Sequence, residues 1–240
     1  MPSTAVSAAR SQRHPSPPLG PVALAYTLLF CAGLYNVTYF AGKPYFPGPW
    51  EPTQNILTFF QARPSAVMLC CFLQFGAAIP LGIFTASAVS RLRFLGVQAA
   101  GATIALFGGF ATAIGMLENS AVLYAMARPE VYHAPALMVA LYYFGFHLGG
   151  PGFSVPFGLL MAGISIPALL YKLVPRWIAI LGIVLAVIGV LSWLDILFPQ
   201  ALPLIPLTRF PGFVWIIAMG FALPSARPGT QPDQTTAKSM

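Results

Sequence analysis

The stretch APALMVALYYFGFHLGGPGFSVPFGLLMAGISIPALLY, residues 134–171, runs for 38 residues without a charge apart from any on His147. A helix needs about 20 apolar residues to cross the hydrocarbon core of a bilayer. The stretch is therefore too long for one straight span and just enough for two short ones. Gly149-Gly150-Pro151-Gly152 breaks it in the middle, because proline lacks a backbone donor and clashes with the turn before it. If both halves span, the chain crosses seven times. If the first half is re-entrant or lies in the interface, it crosses six times.

The rest of the chain has the same character. Of 240 residues, 7% are Asp, Glu, Lys or Arg and 58% are hydrophobic, a balance no soluble domain of this size can solvate. Apolar runs fall at Val22–Ala41, Ser65–Val89, Phe94–Leu117, Phe153–Tyr171, Trp177–Phe198 and Leu204–Leu223, the last interrupted by Pro206, Arg209 and Pro211. The reading is an all-α polytopic integral membrane protein, a bundle of six transmembrane helices with seven as the alternative. The bundle occupies residues 21–223, between disordered cytoplasmic tails at 1–20 and 224–240. The first run exceeds the usual apolar region of a secretion signal and is read as a retained helix. A loop rich in proline and aromatics at 43–50 leads to Gln54–Phe60, which suits a short helix lying in the interface.

Basic residues arbitrate between six and seven, because they concentrate on the cytoplasmic side. With a cytoplasmic N-terminus, six crossings put Arg10, Arg13, Arg91, Arg93, Lys172, Arg176, Arg227 and Lys238 inside. They leave Lys43, Arg63, Arg128 and Arg209 outside, eight against four. Seven crossings invert everything after the break and give five inside against seven outside. The expectation is a multi-pass protein of a bacterial inner (plasma) membrane with both termini cytoplasmic. The net charge of +7 is scattered rather than clustered, so nucleic acid is not an expected partner. The expected partners are the lipid bilayer and either a second copy or another membrane protein.

This topology brings the scarce polar groups to one depth. Asn36, Glu118, Asn119, His147 and Asp195 all fall near the outer face, which suggests an outward-facing polar pocket between helices. The competing reading places each side chain separately in the headgroup region, where polar groups cost little. Glu118 and Asp195 invite an acid–base role, with Glu118 and His147 as a proton relay. No metal-protease, nucleophile-elbow or phosphate-loop motif accompanies them, and no enzyme activity, catalytic residue, metal or cofactor is expected. His133 and His147 stand 14 residues apart, but a haem would need ligands from a second copy.

Other features read as packing. Gly101, Ala105, Gly109 and Ala113 recur every four residues and let another helix approach closely, with Gly182 and Ala186 as a candidate matching surface. Gln74 is expected to hydrogen-bond between helices. Cys31, Cys70 and Cys71 match no metal spacing and read as small packing residues, with a Cys31–Cys70 or Cys31–Cys71 bridge as a minor alternative. Pro175 suits a helix start, Arg176 the headgroups and Trp177 the interface.

The segment Leu-Leu-Tyr-Lys-Leu-Val-Pro-Arg-Trp-Ile-Ala-Ile-Leu-Gly at 169–182, following His147 and its glycines, resembles a widespread bacterial family of multi-pass membrane proteins known only as a domain of unknown function. Asn55-Ile56-Leu57 adds a weaker match. The resemblance covers about residues 20–223 and is strongest from 145 to 198. It implies about six helices with a Pro-Arg-Trp start after the fourth, and it implies no activity. The Gly150-Pro151-Gly152 break, Pro156 and Pro167 depart from that pattern. The functional expectation is a non-catalytic accessory or sensor-type membrane subunit. The alternative is a small-solute or proton-coupled transporter with an outward-facing pocket.

Overall fold

Proline and glycine set most of the helix boundaries. In the computed structural model, which describes residues 13–226, the helices are α1 (Leu19–Tyr35), α2 (Thr53–Ala62), α3 (Pro64–Phe94), α4 (Gly101–Met126), α5 (Pro129–Tyr132), α6 (Pro135–Gly149), α7 (Pro151–Leu170), α8 (Arg176–Leu191) and α9 (Leu204–Ala222). Prolines open α3, α5, α6 and α7, where a missing amide costs nothing because it would have no partner within the helix. Pro175 caps α8 at the Pro-Arg-Trp start. Gly96 ends α3 with φ +95°. Its amide and that of Val97 bond back to Arg93 and Leu92, a left-handed cap that glycine adopts without steric penalty.

Because α3 ends at this glycine, α4 starts at Gly101 and runs to Met126. That is seven residues later at its start than the apolar run predicts and nine later at its end. Glu118 and Asn119 are thus inside the helix, not at its terminus.

Among the described residues, five helical stretches are long and apolar enough to cross a membrane: Pro64–Phe94, Gly101–Met126, Pro135–Leu170, Arg176–Ile196 and Pro199–Ala222. The apolar α1 is shorter, at 17 residues. Six helices form a ring in the order α1, α3, α4, α7, α8, α9, and α9 packs back against α1. The helix α7 is the wedge of this ring, lying between α4 and α8. Within the continuous α6–α7 stretch 61% of the apolar window is buried, against 39–44% in the other long helices.

The helix α6 does not join the ring as a seventh member. Gly101 lies against Gly163 and Pro167, and Gly108 against Pro156 and Leu160, so α4 and α7 run antiparallel side by side. The end of α4 and the start of α7 therefore share one end of the ring. Between them α6 packs on α2, α4 and α5. Its 15 residues reach about 22 Å, short of the ~30 Å hydrocarbon core. The break comes at Gly150, where an added Cβ would lie 2.8 Å from the Phe146 carbonyl oxygen.

The first and last described segments meet at the opposite end of the ring. Arg13 and Ala226 form an antiparallel bridge, and the His14 amide donates to Ser225 O at 2.7 Å. Arg91, only 5% exposed, donates to Leu223 O (3.2 Å), Ser16 Oγ (2.8 Å) and Pro17 O (3.2 Å). Residues 13–18 and 223–226 are thus held against the bundle by this guanidinium. The remainder of both expected tails, 1–12 and 227–240, lies outside the described residues.

The small-residue stripe divides between two neighbours. Gly101 and Ala105 face Gly163 of α7, Gly109 faces Thr85 of α3, and Ala113 is buried. The expected match with α8 does not occur. Ala186 packs on Gly158, and Gly182 on Ser165 and Trp215, because α7 separates α4 from α8. Trp215 Nε1 donates to Ser165 Oγ at 3.1 Å. All three cysteines are free, and Cys71 Sγ donates to Ser120 O.

Candidate functional site

Two hydrophobic clusters divide the interior. One fills the ring at the tail end and middle, with Leu81, Phe84, Phe157, Ile164, Trp215 and Ile216 among its fully buried members. The other builds a cap over the opposite end from α2, α6 and the adjoining ends of α3 and α4, around Ile56, Phe59, Phe60, Met138 and Tyr142. The Pro/aromatic loop joins the cap through Phe46, whose ring stacks on Tyr142 at 5.6 Å and 30°. The Tyr142 hydroxyl donates to Pro47 O at 2.7 Å.

Tyr142→Phe keeps the stack and removes only this hydroxyl, leaving a buried carbonyl without its partner. The expected loss is about 1–2 kcal/mol of stability. It is read as a lower thermal midpoint in detergent, and an unchanged midpoint would show that water reaches Pro47.

Between the cap and the filled part of the ring lies a cavity of about 350 Å³, within the ~300–1,000 Å³ range of small-molecule pockets. Phe30, Met116 and Phe153 line it toward the ring, and Phe46 and Tyr142 line it under the cap. Tyr39 and Tyr45 belong to its wall and are exposed, at 68% and 36%. These two rings, 5.8 Å apart edge to face, mark the mouth.

Three polar side chains reach into this apolar space: Gln74 from α3, Asn119 from α4 and Arg209 from α9. The broken helix connects two of them. Arg209 Nη2 donates to the Gly149 carbonyl at the end of α6. A Cβ on the same glycine would stand 3.4 Å from Asn119 Nδ2. The Arg209 guanidinium also lies over Phe153 at 4.8 Å and Phe30 at 5.6 Å, a cation–π arrangement that holds a charge among apolar groups. Its Nε has no partner, and its electrostatic neighbour is the Tyr26 phenol rather than a carboxylate. Neither Asn119 nor Gln74 makes a side-chain hydrogen bond to another described residue. For Gln74 this replaces the expected interhelical bond with a cavity-facing amide.

The five polar residues read from the sequence do not form one group. Asn119 lines the cavity. Glu118, its neighbour in α4, is exposed on another face, since adjacent helical positions point about 100° apart. His147 is exposed and interacts electrostatically with Asp195, and neither lines the cavity. Asp195 is partly buried, with Oδ1 lacking a hydrogen-bond partner. Asn36 turns back on its own helix and donates to Ala32 O at 2.6 Å. Among the described residues no group of three His, Cys, Asp or Glu side chains could hold a metal ion.

Arg209 is the cavity residue that charge counting passed over. It entered the sequence reading as a basic residue that interrupts the last span. The signal was present: no acidic residue lies between Asp195 and Asp233, so its own stretch offers no partner. An ionisable group inside a spanning helix is a site candidate by default.

No family model, curated protein or solved structure matches this chain.

Proposed function

We propose that this chain is a multi-pass protein of a bacterial inner membrane, with both termini in the cytoplasm, that acts without catalysis as a sensor-type or accessory subunit. The capped cavity is its receiving site and faces outward. The observation that carries this reading is the closure of the cavity toward the tail end. Below Phe30, Met116 and Phe153, the ring is packed with fully buried side chains such as Phe84, Phe157 and Trp215. A blind pocket binds and releases a ligand on one side, which suits sensing better than passage. The excess of basic residues at the tail end supports its cytoplasmic placement. The resemblance of residues 145–198 to a bacterial membrane family supports the compartment.

One feature favours the transporter alternative. The α6–α7 break at Gly149 and Gly150 lines the cavity, and broken helices at membrane depth are common at transport sites.

The experiment has two readouts. Native mass spectrometry from a mild detergent is expected to find the chain with a bound small molecule or a second subunit. Proteoliposomes are expected to show no saturable uptake of that molecule. Saturable uptake would replace the sensor reading with transport, and a bare monomer without ligand or partner would remove both. Orientation is read separately. Trp50→Cys, at a 75% exposed site in the cap loop, should react with an impermeant maleimide in intact cells, and Lys172→Cys only after permeabilisation.

A further inference from the structure

The cavity contains more hydrogen-bonding capacity than the protein uses. Guanidinium stays protonated in proteins and offers five donors in a planar fork. At Arg209 the Gly149 carbonyl takes up one nitrogen, and Nε is left without a partner. Burying such a charge is costly unless a counter-charge meets it. Among the described residues no acid supplies one: Glu51 accepts from Gly48 N and Asn55 Nδ2, Glu118 and Glu130 are exposed, Asp195 lies near His147, and none of the four lines the cavity. The Asn119 and Gln74 amides add donors on the facing walls. The other polar side chains of the wall are hydroxyls: Thr38 is bonded to Tyr35 O, Tyr142 to Pro47 O, and Tyr39 and Tyr45 stand at the exposed mouth.

We propose that the cavity binds a molecule with an apolar body and a single carboxylate head. The head pairs with Arg209 and accepts hydrogen bonds from Asn119 and Gln74, and the body lies among Phe30, Met116, Phe153 and Tyr142. The proposal rests on the reading of the cavity as a receiving site and names the chemistry of what it receives. A carboxylate matches the guanidinium fork in two parallel hydrogen bonds. A neutral head leaves the buried cation without its counter-charge. The volume of about 350 Å³ suits a body of roughly ten to twenty heavy atoms. Such a molecule could arrive through the tyrosine mouth as a soluble aryl carboxylate, or from the bilayer as a fatty acid. Both sources present the same head and the same apolar body.

The test uses the full chain in nanodiscs, with binding followed by calorimetry. The probes are 4-phenylbutyrate and decanoate, each set against its neutral primary amide. Both acids are expected to bind at least about tenfold more tightly than their amides, the discrimination typical of a hydrogen-bonded charged group. Tighter binding of phenylbutyrate assigns the soluble source, and tighter binding of decanoate the bilayer. Arg209→Gln should abolish the acid preference, and Arg209→Lys should restore part of it. Gly115→Met fills the cavity from a position where an added Cβ meets only the Gly152 carbonyl, at 3.6 Å. It should weaken acid and amide alike while leaving the thermal midpoint in place, which keeps the test independent of folding at Arg209. Equal binding of acid and amide, or an unaltered preference in Arg209→Gln, overturns the carboxylate assignment and leaves the receiving site standing. Binding of neither probe, or binding indifferent to Gly115→Met, overturns both.

Discussion

Gly163→Val is expected to cost the bundle about 3 kcal/mol, the upper end of what overpacking a close contact does. Gly163 is the point where α7 meets the backbone of α4. A Cβ there would stand 2.5 Å from the Gly101 carbonyl oxygen and 2.8 Å from the Ala105 Cα. Both are main-chain atoms of a regular helix and cannot swing aside as a side chain would. The helices would have to separate, and the loss would spread. Gly108 meets Pro156 and Leu160 two turns further along the same seam. On its other face α7 is also close to α8, though less tightly, with a Cβ on Gly158 lying 3.0 Å from Ala186 O. In a bilayer this packing carries much of the helix association, because lipid tails compete with apolar side chains on equal terms. The measurement is reversible unfolding in mixed micelles. Gly76→Val serves as the control, since a Cβ there meets nothing within 4 Å, and its change should stay within about 0.5 kcal/mol. Equal losses at the two positions would mean that valine in the helix, not the α4–α7 seam, sets the cost.

Arg91→Met should remove about 2–3 kcal/mol and release the two chain ends together. The substitution keeps most of the side-chain volume, so the effect isolates the guanidinium. Three acceptors lose their donor: Ser16 Oγ and Pro17 O on the segment entering α1, and Leu223 O on the segment leaving α9. Hydrogen bonds to a charged donor carry about 1.5–3 kcal/mol each when buried. Water at the end of the ring replaces part of that, hence the lower total. A second readout separates a clamp from general stabilisation. Limited proteolysis at Arg13 and near Ser225 should accelerate in Arg91→Met at temperatures where the bundle is still folded. Unchanged cleavage would show that the Arg13–Ala226 bridge holds the ends without it.

Legibility from sequence depended on whether a feature is carried by one residue's transfer energy or by several residues meeting. The apolar runs marked the long helices because each residue in them favours hydrocarbon over water regardless of its neighbours. Helix ends were read less well. Residues 95–100 are not charged, so hydropathy alone extended the third run back to Phe94, while the Gly96 cap starts α4 at Gly101. That shift moved Asn119 from a helix end into the wall of the cavity. Arg209 shows the reverse case. Its charge was visible, but its importance lies in what does not accompany it, a carboxylate within reach, and that is a property of the packed ring. Gln74 is similar, since whether a mid-helix amide meets another helix or an open space depends on the fit of α1, α3 and α4.

The sequence by itself determined that this is an all-α membrane-type bundle and that its first and last helices begin and end at the same side. Both follow from local chemistry: the transfer of long uncharged runs into an apolar phase, and the excess of basic residues that six crossings leave on one side. Only the tertiary structure decided that α6 stops short as part of a cap, that α7 divides α4 from α8, and that Arg209, Asn119 and Gln74 share one cavity. Those outcomes depend on how closely backbones approach at Gly101, Gly108 and Gly163. A glycine in the sequence permits close approach without naming the helix that makes it.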